Sequence, residues 1–548
     1  MHPNPGSPAN PCQCYTRGRA FLCGAASLIN TNEMLMHDLT PILVGAGQYV
    51  GRDMRQPALL KSPVDLAAIA AQRALDDAQA STALATEIDM LVVIRMFEHS
   101  TGERGLWANP FGSTNNVPWS VAKRLGVKPR EAIYAEVGGQ SPQRLVNRMA
   151  ERIHAGELRM ALLTGAEAIA SIREATRRGY QLDWREEAHG QFEDRWPGAP
   201  FVTPYEQRHG IAWPIHIYAM FEQARRAARR LSTHATREDS ARLFAPFSAI
   251  AANHPYAQFP TARDTTFLST VSAENYLLCE PYTKWMVAQD AVNQAAAVLL
   301  TSVGAARELG IPESKWVYLK GYADVDDHTV LKRSNLAQSN AQNLAVRGAL
   351  QSAGVEIAAV KYLDFYSCFP IAVSSIAEPL GLPTDGSRAL TLTGGLPFFG
   401  GPGNNYSMHA IATVVEKLRA DRNAHGLVVA NGGYLSKHSA AVYSCRAPAA
   451  WEPASSGSRQ AEAKADTGIV VDEQAQGRAR IESFAAIVSK GTPADGFIVA
   501  RMEASNARCM ARVAKGDRAA LGVLFEEAVI GRAIEVRLVD DMHQFSLV

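Results

Sequence analysis

Cysteine is scarce: there are seven in 548 residues, scattered singly apart from Cys12 and Cys14. An odd, dispersed set cannot build a disulfide framework. No second paired spacing completes a zinc site, so no metal is expected. Such thiol usage points to a reducing, cytoplasmic setting. Long apolar runs are also lacking, and without about 18 consecutive apolar residues a membrane-spanning helix is not expected. Charge leans to neither sign: 55 Lys and Arg face 54 Asp and Glu. A formal net charge of +1 gives no electrostatic case for nucleic acid or an anionic membrane as partner. What remains is the composition of a soluble globular protein, 47% hydrophobic and 20% charged. The length exceeds one core and implies about two to four domains.

Residues 1–38 are rich in Pro and Asn, with Arg17 and Arg19 ahead of an apolar run at 20–26. No small-x-small cleavage site follows it. A disordered leader is expected, or a start at Met34 or Met36, with Cys12 and Cys14 inert. From there strand alternates with helix. The run 41–48 reads as a buried parallel strand entering a Gly turn, and Ser62-Pro63-Val64-Asp65 as a helix start with a Ser cap and Pro at the first position. Strands follow at 90–94, 132–137 and 160–165, the second ending at Gly138-Gly139-Gln140-Ser141-Pro142 before a helix carrying Leu145, Val146, Met149 and Ile153. This is the pattern of a parallel sheet covered on both faces.

Regularity lapses over 171–259, an insertion of lid length containing a helix at 214–231. Its Arg225-Arg226-x-x-Arg229-Arg230 cluster reads as a solvated face, or more sharply as a contact for a phosphate-bearing ligand such as coenzyme A. A strand at 295–300 closes a first half spanning 39–305. A second half, 306–446, repeats the strand-to-Gly design: 427–432 matches 160–165. Within it the strand 361–365 meets Tyr366-Ser367-Cys368-Phe369-Pro370, a Gly-rich turn follows at 400–405, and the next strand runs into Asn431-Gly432-Gly433. Ligands collect outside the carboxyl ends of such strands, so these two ends mark one side of an active site. Residues 447–476 have few large apolar side chains and read as a linker. The short alternating runs of 477–548 predict a small, OB-like β-barrel.

Asn253-His254-Pro255-Tyr256-Ala257-Gln258-Phe259, Cys279-Glu280-Pro281-Tyr282 and the run from Gln289-Asp290 to Ala296-Ala297 complete a pattern over 41–445. With the two strand ends, that stretch resembles the thiolase superfamily, in particular its sterol-carrier-protein-2-type thiolases and thiolase-like proteins. The resemblance implies a duplicated five-layer αβαβα fold with a lid, an acyl-CoA thioester as substrate and no bound cofactor. It also implies dimers through the edge of the first sheet, although a monomer is compatible with the extra domain.

Several positions depart from the family's pattern. The acyl-accepting Cys belongs at the turn Gly138 to Pro142, where the nearest hydroxyl is Ser141; its plainer role is a helix N-cap. The His-Asp-Cys-Phe box aligns with Tyr366-Ser367-Cys368-Phe369. The Gly-His-Pro box aligns with Gly400-Gly401-Pro402, and Cys-Asn-Gly with Ala430-Asn431-Gly432. Two proton-handling side chains are thus replaced, by Gly401 and Ala430. The catalytic candidates are Cys368, Tyr366, His438, His409 and Ser141, in that order, with Asn431, Gly432, Gly433, Gly401 and Phe369 expected to bind substrate. The leading expectation is an acetyl-CoA C-acyltransferase-type transferase of lipid metabolism with altered catalytic residues. The alternatives are an aldol or retro-aldol enzyme acting on acyl-CoA, and a non-catalytic CoA-ester binder.

Overall fold

The computed structural model describes residues 38–100, 108–198, 200–465 and 468–548. The expected leader, with Cys12, Cys14, Met34 and Met36, lies outside them except for Asp38. Ser62 starts α1 (Pro63–Asp77) with a closed capping box: its hydroxyl accepts from the Asp65 amide, and the Asp65 carboxylate accepts from the Ser62 amide. Around α1 lie β1 (Pro41–Val50), β2 (Met90–Val93), α2 (Val117–Leu125), β3 (Glu131–Tyr134), α3 (Ser141–His154), β4 (Met160–Glu167) and α4 (Ile169–Arg178). A two-residue strand, β5 (Glu193–Asp194), pairs with the outer edge of β3. The edge implied for dimerisation is therefore occupied by the chain's own backbone. The lid supplies α5 (Pro204–Arg208), α6 (Pro214–Ala228), α7 (Thr233–Ala252) and α8 (Thr265–Ser269), then a hairpin of β6 (Leu277–Cys279) and β7 (Tyr282–Thr283). β8 (Gln294–Ser302) completes the first sheet in the order β3-β2-β4-β8-β1.

The second half contains α9 (Val303–Glu308), β9 (Val317–Asp326), α10 (Asn340–Ala353), β10 (Tyr362–Phe365), α11 (Pro370–Ala377), α12 (Tyr406–Ala420), β11 (His425–Gly432) and β12 (Lys437–Ser444). Its strand order β10-β11-β12-β9 repeats β2-β4-β8-β1 pair by pair: one parallel pairing, then two antiparallel ones. The halves join where β1 meets β9. Helices α3 and α12 each touch strands of both sheets, while α1 covers the outside of the first and α10 the outside of the second. This is the expected five-layer αβαβα stack. One expectation fails at β1, which is antiparallel to both neighbours. Its unbroken apolar run reflects burial on both faces, which strand direction does not determine.

Residues 447–476 are more than a linker. Trp451 is buried and donates to the Leu319 carbonyl at 2.7 Å, and α13 (Gly457–Ala465) packs on α10 and β9. The barrel is built from β13 (Gly477–Ser489), β14 (Thr492–Met502), β15 (Arg508–Val513), α14 (Arg518–Val523), β16 (Ala533–Val539) and β17 (Met542–Leu547). It closes in the order β13-β14-β15-β17-β16-β13, with β15 parallel to β17, an OB-like arrangement around Phe484, Ile498 and Phe545.

The barrel docks on the lid. β6 pairs with β13, Ser483 Oγ donates to the Met220 carbonyl at 2.6 Å, and the Met510 amide donates to Tyr205 Oη at 3.0 Å. One arginine of the α6 cluster, Arg226, serves this docking. Arg225 and Arg226 are buried, Arg225 between Glu222, Asp239 and Glu378, and Arg226 against Gln223 and barrel Glu527. Neither a solvated face nor a phosphate contact is left at these two side chains, because carboxylates on neighbouring elements already neutralise them. Among the described residues no helix is long and apolar enough to cross a membrane.

Candidate active site

β10 and β11 run parallel and adjacent, so Tyr366-Ser367-Cys368 and Asn431-Gly432 emerge side by side. The amide of Tyr366 continues the ladder to the Val429 carbonyl at 2.9 Å. Asn431 Nδ2 then lies 3.8 Å from Cys368 Sγ and donates to Tyr218 Oη at 2.8 Å. Tyr218 comes from lid helix α6, and its oxygen also accepts from the Leu435 amide at 3.2 Å. Phe369 stacks on Tyr218 with ring centroids 4.3 Å apart. The Gly-rich turn is anchored from the other side: Asn404 Oδ1 accepts from the Gly138 amide at 2.9 Å, and the Gly401 amide donates to the Gln289 carbonyl at 2.8 Å.

The N-terminus of α3 faces the same place. Gly139 carries no Cβ because one there would run into Tyr366 Oη and sit 2.6 Å from the Asn431 carbonyl oxygen. Tyr366 thus fills the position at the head of α3 with a hydroxyl. Cys368 is 8% exposed, and burial pushes its thiol up to about 12. Burial likewise raises the Tyr366 and Tyr218 hydroxyls above the ordinary tyrosine range. At neutral pH the cluster is a set of uncharged donors: a thiol, two phenols and a carboxamide. It suits hydrogen bonding to a developing enolate oxygen and does not provide a thiolate nucleophile.

Three further candidates remain. Ser141 occupies the first turn of α3, one position inside the Gln140 cap, and its hydroxyl donates to the Glu136 carbonyl at 2.9 Å. It is spent on helix geometry. His409 lies one turn into α12, where Nδ1 contacts Gln48 Oε1 at 2.8 Å and the ring meets Phe399. Burial lowers its pKa to about 3. The first of those contacts ties it to β1. His438 is the cross-strand partner of Asn431, yet its Nε2 is engaged by Ser339 Oγ and the Leu435 carbonyl, each at 3.1 Å. Burial lowers its pKa to about 4. The structure therefore brings together Cys368, Tyr366, Asn431 and Phe369, with Gly432 and Gly433 beside them; both histidines are buried and neutral, and Nε2 of His409 and Nδ1 of His438 make no hydrogen bond among the described residues. Tyr218 and Gly139 were missed. A tyrosine amid apolar helix residues carries no local signal. Gly139 stood in a Gly-Gly turn that hinted at close approach without naming what approaches.

Residues 460–541 match the family model for the thiolase-like protein type 1 additional C-terminal domain. No curated protein sequence matches. Among solved structures, a monomeric SCP2-thiolase-like protein type 1 from Mycobacterium smegmatis is 36% identical, covers 93% of this chain and 99% of its own, and superposes with a TM-score of 0.79. An Ltp2–ChsH2(DUF35) aldolase is 16% identical over 74% of this chain and 98% of its own, with a TM-score of 0.53. An acetyl-CoA acetyltransferase from Syntrophomonas wolfei is 16% identical over 74% of this chain and 99% of its own, with a TM-score of 0.52. At such identities the last two share the fold alone.

Proposed function

The chain belongs to the SCP2-thiolase-like proteins of type 1, and from that premise we propose that it makes or breaks a carbon–carbon bond in an acyl-CoA thioester without an acyl-enzyme. One observation carries this reading: the Tyr366 hydroxyl occupies the head of α3 against Gly139, where a covalent route needs an acyl-accepting cysteine. The neighbouring Cys368 thiol, held protonated by burial, is a proton donor rather than a nucleophile. Tyr366 and Asn431 would stabilise the enolate oxygen, and Gly401, in place of a histidine, removes the base that thiolysis requires. The reaction favoured is aldol or retro-aldol, with a β-hydroxyacyl thioester on one side and a carbonyl compound plus a shorter thioester on the other.

The test is to incubate the protein with β-hydroxyacyl-CoA thioesters, and separately with acetoacetyl-CoA plus CoA. Release of an aldehyde or ketone, falling at least a hundredfold in Tyr366→Phe, is the expected result. Thiolysis of acetoacetyl-CoA with a mass shift on the protein would restore the acyltransferase reading. Calorimetric binding of thioesters with no turnover would leave a CoA-ester binder.

A further inference from the structure

The most costly unsatisfied group near the candidate site is Lys437. It is 2% exposed at the start of β12, paired across the sheet with Gly432, and its ammonium makes no hydrogen bond. Its charge is balanced in part by Glu136 Oε2 at 3.6 Å and by the face of Phe201, 5.5 Å away. Neither fills its three N–H donors, and a buried ammonium left so is expensive. A second unsatisfied group lies beside it. Gln140 is wholly buried and donates from Nε2 to Glu136 Oε1 at 3.1 Å, while its Oε1 has no partner. That oxygen lies against Gly432 and Gly138, where any Cβ would collide with it. The next residue, Gly139, is the one that meets Tyr366. Lys437 and Gln140 thus flank the two oxygens of Glu136 at the head of α3, each with a polar atom unfilled, and a cleft of about 370 Å³ lined by Glu136, Arg144 and Arg195, though by neither of these two side chains, reaches that carboxylate.

We propose that Lys437 and Gln140 together bind a hydroxyl group carried by the acyl chain of the substrate, making them the residues that select β-hydroxyacyl thioesters. The chemistry separates three occupants. A hydroxyl accepts from one of the Lys437 donors and donates to Gln140 Oε1, giving each group a partner. A keto oxygen accepts from Lys437 but leaves the Gln140 carbonyl facing a second acceptor. A carboxylate also satisfies Lys437, at the cost of placing negative charge beside Glu136 and against the Gln140 oxygen. This selection rests on the thioester reading above.

Full-length protein titrated calorimetrically with 3-hydroxybutyryl-CoA, butyryl-CoA and succinyl-CoA tests it. The hydroxylated thioester should bind at least tenfold more tightly than the other two. Lys437→Met should bring that ratio close to one. Gln140→Met should lower it as well, which keeps the test alive if one variant does not fold. Equal affinities in the wild-type protein, or a ratio untouched by either folded variant, would overturn the assignment while leaving thioester binding intact. Tightest binding of succinyl-CoA would replace the hydroxyl by an anion and overturn it too. Binding of none of the three removes the thioester reading itself, and this assignment with it.

Discussion

At Gly139 the chain tolerates only hydrogen, because Tyr366 Oη and the Asn431 carbonyl close on its α-carbon. Gly139→Ala should therefore cost about 1–3 kcal/mol through overpacking, read as a lower denaturant midpoint. Adding Tyr366→Phe should recover only part of the loss, since the Asn431 backbone oxygen still opposes the methyl. Full recovery would mean that the hydroxyl alone sets the constraint. Cys368 offers a second reading at this scale. A thiol pushed up to about 12 holds almost no thiolate at pH 8, so iodoacetamide should modify it in unfolded protein at least a hundredfold faster than in native protein. Rapid native alkylation at Cys368 would show a thiolate and reopen the covalent route. Cys368, Tyr366 and Asn431 were legible because strand ends announce themselves by apolar runs stopping at Gly or a polar residue. Lys437 and Gln140 were not, because what marks them is the partners they lack, a property that exists only once the chain is folded.

The barrel's elements hold the second half through one costly interaction, at the segment between β9 and α10. Arg508 on β15 is wholly buried, donates to the Leu331 and Arg333 carbonyls at 2.7 and 2.6 Å, and is neutralised by Glu482 on β13. Glu482→Ala leaves that guanidinium uncompensated and should destabilise the protein by about 3–5 kcal/mol. The double variant Glu482→Ala, Arg508→Met should be clearly more stable than the single one, because the orphaned charge is gone. Equal instability of the two would assign the effect to lost packing instead. At this scale periodicity succeeded where one face is buried and failed where partners decide. The helix of α6 was legible over 214–231, ending at 228, but whether its arginines face water depended on Glu378 and Glu527, far along the chain. Strands β15 and β17 went unnoticed since their mixed polar residues break the alternation. The apparent linker hid α13, whose contact with α10 a composition break cannot reveal.

For the whole molecule, the duplicated αβαβα plan was readable because two stretches repeat the same strand-to-Gly ending, while the closure of the edge at β3 was not, being made by only two residues, Glu193 and Asp194. The completed fold carries a consequence for acid stability. Four fully buried imidazoles, His209, His409, His438 and His543, are held below the ordinary histidine range by burial, the first three at about 4, 3 and 4. Unfolded, each takes up a proton as pH falls below about 6.5; folded, they resist, so each lowers stability as pH drops from about 6.5 toward 4. Glu167, Glu206 and Asp364 act with the opposite sign. Burial raises their pKa, so the folded chain keeps their protons where the unfolded chain has released them. Below about pH 6.5 the unfolded state therefore gains protons on histidine that the folded state refuses, while the folded state keeps protons on these carboxyls that the unfolded state has released. The share of His409, held at about 3, lowers stability over the whole range from pH 6 to 4.5 and is read from denaturant midpoints. Replacing His409 by Leu removes one of the four and should flatten the profile, whatever it does to stability at pH 7.5. A profile that keeps its slope in the variant would mean that His409 reaches water in the folded state and that the interior around α12 is not closed.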